Sequence, residues 1–290
     1  MRNPDHVHRF LFEQSPIRGQ HVSLDSSWRQ IVEQSQVTGV GLTLLGHALS
    51  AAALLVETLK IDGSITLQVR GSGAIHLLVV EATSAHTVRG VLRQTREPGE
   101  NSSLAEVFES DKLVITIRNG PGKPYQGIVP LVGNSIAEAL QAYFAQSEQL
   151  PTHFYFDCDE NCASGMLLQR LPGESLDDDA WNRVSLMAST LNPGELLRLP
   201  VEELLVRLFH QEKLRIFDPT PIAFFCSCSV DRSRNMLMSL GKAEVESMFE
   251  EQDEVIVTCE FCNRHYCFDR VDFAVMFDPV DTVPLSKTCH

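Results

Sequence analysis

The chain is short of positive charge. Its 24 lysines and arginines stand against 38 aspartates and glutamates in 290 residues, a formal net charge of -14. Nucleic acid and anionic membrane surfaces reward clustered cations, so neither is expected as a partner, and the acidity reads as solubilising. A leader is also missing. Met1-Arg-Asn-Pro-Asp-His6 lacks a basic segment followed by an apolar one, which predicts no secretory signal and a cytoplasmic protein. No uniformly apolar run is long enough for a bilayer. The uncharged stretch between Glu33 and Glu57 comes nearest, but Gln34, Ser35, Gln36, Thr38, Thr43, His47 and Ser50 interrupt it, and it predicts a buried helix instead.

Catalytic signatures are absent as well. There is no G-x-S-x-G elbow and no H-E-x-x-H pair, and the ten histidines are scattered, so no enzyme is expected. Gly71-Ser-Gly73 follows a strand, but His76 occupies the place of the third glycine and no helix opens there. Gly122-Lys123 fails as a phosphate loop, because Ile117 replaces the first glycine and Pro124 the Ser or Thr. Both read as turns.

What is present is a globular composition, 43% hydrophobic, on a chain long enough for two or three folding units. Residues 1–172 mix β-branched runs (Ile65–Arg70, Ile75–Glu81, Lys112–Arg118) with helical stretches at Leu44–Leu59 and Ser135–Ser147. Gly-rich turns between successive strands predict an α+β domain with a mainly antiparallel sheet. After Gln169-Arg-Leu-Pro-Gly173 the composition shifts. Residues 173–220 predict a helical linker, with helices over 179–191, 193–199 and 201–211. Leu204, Leu205, Leu208 and Phe209 form an apolar stripe expected to pack on the first domain. Residues 221–290 form a module so small that a metal or disulfides should be needed to hold it.

That module carries the strongest signal, Cys226-Ser-Cys228 followed by Cys259-Glu-Phe-Cys262. Four thiolates are the ligand set of a closed, tetrahedral zinc site. An iron–sulfur cluster takes the same donors and remains the alternative. Thiols at these spacings can also oxidise to local disulfides, so the same residues can hold a metal when reduced and lose it when oxidised. His265 and His290 lie near the tetrad, but four sulfurs already fill the shell. Cys158 and Cys162 sit among Asp157, Asp159 and Glu160, whose charge should raise the thiol pKa values, and both read as incidental. Cys267 is placed to compete in disulfide exchange, and Cys289 belongs to the C-terminal tail.

The tetrad and its surroundings resemble the 33 kDa redox-regulated heat-shock chaperones of bacteria. The resemblance runs through Leu44-Leu-Gly-His-Ala-Leu-Ser-Ala-Ala-Ala-Leu-Leu55, Lys60-Ile-Asp-Gly-Ser-Ile-Thr-Leu-Gln68, Tyr125-Gln-Gly-Ile-Val-Pro-Leu-Val-Gly133 and Tyr143-Phe-Ala-Gln-Ser-Glu-Gln-Leu-Pro-Thr152. It continues through Phe225-Cys-Ser-Cys-Ser229 and Thr258-Cys-Glu-Phe-Cys-Asn263 to Tyr266. It implies an ATP-independent holdase, dormant while reduced, with one zinc per chain on Cys226, Cys228, Cys259 and Cys262. It further implies that oxidation closes Cys226–Cys228 and Cys259–Cys262 disulfides with loss of zinc. The C-terminal module and linker then unfold, and homodimers bind unfolding or oxidatively damaged client proteins. Within the resemblance His47 stands where an acidic residue is expected, and Cys158, Cys162, Cys267 and Cys289 are additional to the tetrad. The competing reading is a constitutive zinc-stapled interaction protein without a redox switch.

Overall fold

The computed structural model describes residues 5–35, 37–99, 102–173 and 179–277. Two compact units separate between Phe225 and Cys226. The first opens with β1 (His6–Phe12), β2 (Ile17–Leu24), α1 (Ser26–Ser35) and α2 (Gly39–Leu59). A meander of β3 (Gly63–Arg70), β4 (Ile75–Thr83) and β5 (Thr87–Gln94) follows. Next come α3 (Leu104–Phe108), β6 (Lys112–Asn119), β7 (Tyr125–Pro130) and α4 (Ile136–Tyr143), which runs on into a π-helical turn at Phe144–Glu148. The hairpin β8 (Thr152–Cys158) and β9 (Ala163–Arg170) leads to α5 (Ala180–Ala188), α6 (Glu195–Arg198) and α7 (Val201–Phe209). Short strands β10 (Leu214–Ile216), β11 (Thr220–Pro221) and β12 (Ala223–Phe224) complete the unit.

These strands build two sheets, ordered β10-β1-β2-β9-β8, with β11 also on β1, and β12-β5-β4-β3-β6-β7. The pairings are antiparallel, as the Gly-rich turns predict, except that β12 runs parallel to β5. The expected turns at Gly71–Gly73 and Asn119–Gly122 connect β3 to β4 and β6 to β7.

Helix α2 packs against strands of both sheets. By length and composition it could cross a membrane, yet most of it is buried in the core, with Leu45, Leu49 and Leu54 fully enclosed. It begins at Gly39 rather than at the expected Leu44, where Thr38 in extended conformation (φ -134, ψ 171) marks its start. Gly46 lets it approach β8, since a Cβ there would lie 2.8 Å from Cys158 Sγ. The sheet on β2 and β9 is buried on both faces. Val22 and Leu167 point towards α2, while Ile17, Met166 and Leu168 join a second core with Phe10 and Phe12. Such strands lose the period-two alternation that makes a strand legible in sequence. Leu204, Leu205, Leu208 and Phe209 fill that second core, so the apolar stripe packs as expected.

Residues 179–220 therefore lie within the first unit, where the sequence suggests three parts at 1–172, 173–220 and 221–290. They are not wholly helical, because β10 and β11 hydrogen-bond to β1. Residues 221–225 also belong to this unit, because β12 extends the second sheet.

The second unit comprises α8 (Val230–Leu240), α9 (Lys242–Glu251), the hairpin β13 (Val255–Thr258) and β14 (His265–Phe268), and α10 (Arg270–Phe277). Its core is small: Leu237, Val245, Phe249, Val255, Tyr266 and Phe268.

Candidate metal centre

Cys226 and Cys228 lie in the irregular segment leading into α8. That helix starts where Ser229 Oγ accepts a hydrogen bond from Arg232 N at 3.2 Å, an N-cap that fixes the end of the C-x-C segment. Cys259 and Cys262 occupy the turn between β13 and β14. Thr258 pairs with His265, Cys259 N donates to Arg264 O at 2.9 Å, and Asn263 N donates to Cys259 O at 2.9 Å. Asn263 takes the left-handed conformation (φ 52) that the tight turn requires and that asparagine tolerates.

The two segments bring the sulfurs together. Cys226 Sγ lies 3.6 Å from Cys259 Sγ, and Cys228 Sγ lies 3.3 Å from Cys262 Sγ. All four sulfurs fall within 4.8 Å of one another. A tetrahedron with metal–sulfur bonds of about 2.3 Å has edges of about 3.8 Å, so the cluster has the dimensions for one metal ion. The donor set also fits, being four soft sulfurs on half-buried residues.

The electrostatics of the thiols differ. Burial works against the Cys228 thiolate, but hydrogen bonds from Tyr266 Oη, at 3.1 Å, and from the neighbouring thiols outweigh it and bring Cys228 down to about 7. Cys226 and Cys262 are pushed up, first by burial and then by donating to Cys228. Without a cation the cluster thus favours the thiolate at Cys228 over those at Cys226 and Cys262, and a bound metal would displace the protons that remain. Sequence reasoning gave Tyr266 no role at this site. Its signal lay in β14, where Tyr266 and Phe268 alternate as the buried residues.

The other candidates lie elsewhere. His265 Nδ1 is 2.9 Å from Thr258 Oγ1 and outside the sulfur cluster. Cys267 is disulfide-bonded, and Cys289 and His290 fall outside the described residues. Cys158 and Cys162 belong to the first unit. Burial pushes Cys158 up to about 12, with Asp157 and Asp159 adding to it, and Cys162 up to about 11. The carboxylates act in the expected direction, but burial is the larger cause. His47 sits beside Phe156, ring centroids 5.6 Å apart, and burial lowers it to about 4.

Comparison with known proteins gives a consistent answer. The family model described as Hsp33 protein matches residues 5–269. The 33 kDa chaperonin of Nitrosococcus oceani is 44% identical, and that of Pseudomonas paraeruginosa 41%, each over the whole of both chains. The crystal structure of the 33 kDa chaperonin from Thermotoga maritima superposes with a TM-score of 0.80, covering 94% of this chain and 97% of that one at 24% identity. With the family match extending through both compact units and across the four-sulfur cluster, the chain belongs to the Hsp33 family.

Proposed function

We propose that the chain is an ATP-independent holdase chaperone switched by oxidation at Cys226, Cys228, Cys259 and Cys262. The observation that carries this reading is the gathering of four half-buried thiols into one cluster inside a unit with a very small apolar core. Bound zinc would hold the four thiolates together and supply on the order of 10–16 kcal/mol of apparent folding free energy.

Activation starts with a thiolate attacking a peroxide oxygen, which gives a sulfenic acid and releases water; the partner thiol then attacks the sulfenic sulfur and expels a second water. One peroxide is reduced per disulfide, and two close the switch. The proposed products are Cys226–Cys228 and Cys259–Cys262, following the family resemblance. In the reduced cluster close approaches also run between the pairs, Cys226 to Cys259 at 3.6 Å and Cys228 to Cys262 at 3.3 Å, so peptide mapping must distinguish the two outcomes.

Disulfide closure removes the sulfur donors with loss of zinc, and the module proposed at 221–290 unfolds. Residues 173–220 then act as the linker that lifts from the first domain. The apolar stripe of α7 and the sheet face at Phe10, Phe12, Met166 and Leu168 become available to unfolding proteins, with the active form a homodimer.

The test follows zinc content, disulfide masses and suppression of client aggregation in the same samples through peroxide treatment at raised temperature. One zinc per reduced chain, lost as protection of a client appears, is the expected course. Retention of zinc, or its loss without gain of protection, would favour a constitutive zinc-stapled interaction module.

A further inference from the structure

On the first unit, away from the cysteines in the sequence and in chemistry, a cavity of about 250 Å³ is lined by Arg9, Arg18, Glu57, Lys60, Phe217 and Leu171, among others. Three cations meet there in a chain whose net charge is -14. The half-buried Arg18 guanidinium finds only neutral acceptors, Gln169 Oε1 and Thr58 O, and burial lowers its pKa with no carboxylate to offset it. Among the described residues Arg9 and Lys60 form no ion pair. Glu57 Oε1 lies 2.9 Å from His86 Nδ1. Three cations against one carboxylate leave a wall charge of +2. Unpaired, partly buried guanidinium groups are costly, and planar forks suit phosphate oxygens.

We propose that this cavity is a binding site for a small dianion of the phosphate class, held by Arg9, Arg18 and Lys60. A dianion balances the wall, and a volume below the roughly 300–1,000 Å³ of larger ligand sites admits only a small occupant. Phe217 and Leu171 supply an apolar side for the body of a phosphate monoester. The site also joins distant parts of the chain. Phe217, just beyond β10, donates its backbone N–H to Arg9 O at 2.9 Å and lies under the Arg9 guanidinium at 5.8 Å. An occupant therefore ties β1, β2 and the end of α2 to the returning segment, and stabilises that docked arrangement by mass action.

Calorimetric titration of the reduced full chain with inorganic phosphate and with phenyl phosphate, at fixed pH and ionic strength, tests this. One saturable site per chain is expected, together with a phosphate-dependent rise in melting temperature. The exposed substitutions Arg9→Gln and Lys60→Gln should each weaken binding about tenfold, the loss of one charge-assisted contact; Lys60→Gln should leave the phosphate-free melting temperature unchanged, and Arg9→Gln should lower it slightly by removing the contact with Phe217. Absence of saturable binding by both probes, or binding indifferent to both substitutions, would overturn the assignment.

Discussion

Stripping metal from the reduced protein should unfold residues 226–277 and leave α2, β2 and β9 of the first unit folded. Among the described residues the core of the second unit has six buried apolar side chains, Leu237, Val245, Phe249, Val255, Tyr266 and Phe268, with partly buried neighbours such as Val257 and Phe273 packed against them. Full burial of such side chains yields about 1.5–3 kcal/mol each before conformational entropy is charged against it. A four-cysteine zinc site contributes about 10–16 kcal/mol, which matches or exceeds the about 5–15 kcal/mol net stability of an ordinary domain. Modules this small lie at the low end of that range. Removing the metal therefore takes away more than the second unit has in reserve.

Hydrogen exchange read by mass spectrometry, with a strong chelator and a thiol reductant present, measures the effect segment by segment. Amides of α8, α9 and the β13–β14 hairpin should lose protection, whereas those of α2, β2 and β9 should keep it. Tyr266→Phe gives a graded version. It deletes the 3.1 Å hydrogen bond to Cys228 Sγ and should weaken metal affinity by about tenfold in chelator competition, since partners of metal ligands typically matter at that level. Retained protection over 226–277 in the metal-free protein would refute the argument, because the small core would then suffice.

Two further predictions concern the first unit. Leu205 is fully enclosed in the core beneath α7, so Leu205→Ala should destabilise this unit by about 2–5 kcal/mol in urea unfolding and bring client protection on at milder oxidation. A parent-like oxidation threshold in a destabilised variant would separate that core from the switch. His21 is held by burial, and secondarily by His8, at about 3 against an ordinary 6.5, with Ser164 Oγ 3.2 Å from its Nε2. The folded state thus binds fewer protons. Its stability is full above pH 6.5 and falls as the pH drops towards 3, by about 2 kcal/mol between pH 6.5 and 5. Urea midpoints at pH 7 and 5 should show a smaller loss for His21→Gln than for the parent, and equal losses would discard His21 as the cause.

Much of the site was legible from the residues. C-x-C and C-x-x-C are local spacings, and local spacing decides which sulfurs can share a metal. The uncharged α2 stretch and the stripe on α7 were readable too, because one-sided or all-round apolarity at helical period survives without tertiary context. Strands β2 and β9 were not identified, since Gln20, His21 and Ser23 on β2 and burial of both faces of β9 erase the alternation by which strands are recognised. Tyr266 could be placed on a strand by its neighbours, but its hydroxyl reaches Cys228 only through the packing of β14 beside the segment before α8.

The sequence by itself therefore determined the set of four sulfur donors, the helical stripe and the excess of negative charge, all properties of residue type and short spacing. Only the tertiary structure decided that β10, β11 and β12 bind residues 214–224 into the first unit, and that Arg9, Arg18 and Lys60 line one cavity. Those arrangements depend on strand pairings and approaches between residues far apart along the chain, which no local pattern specifies.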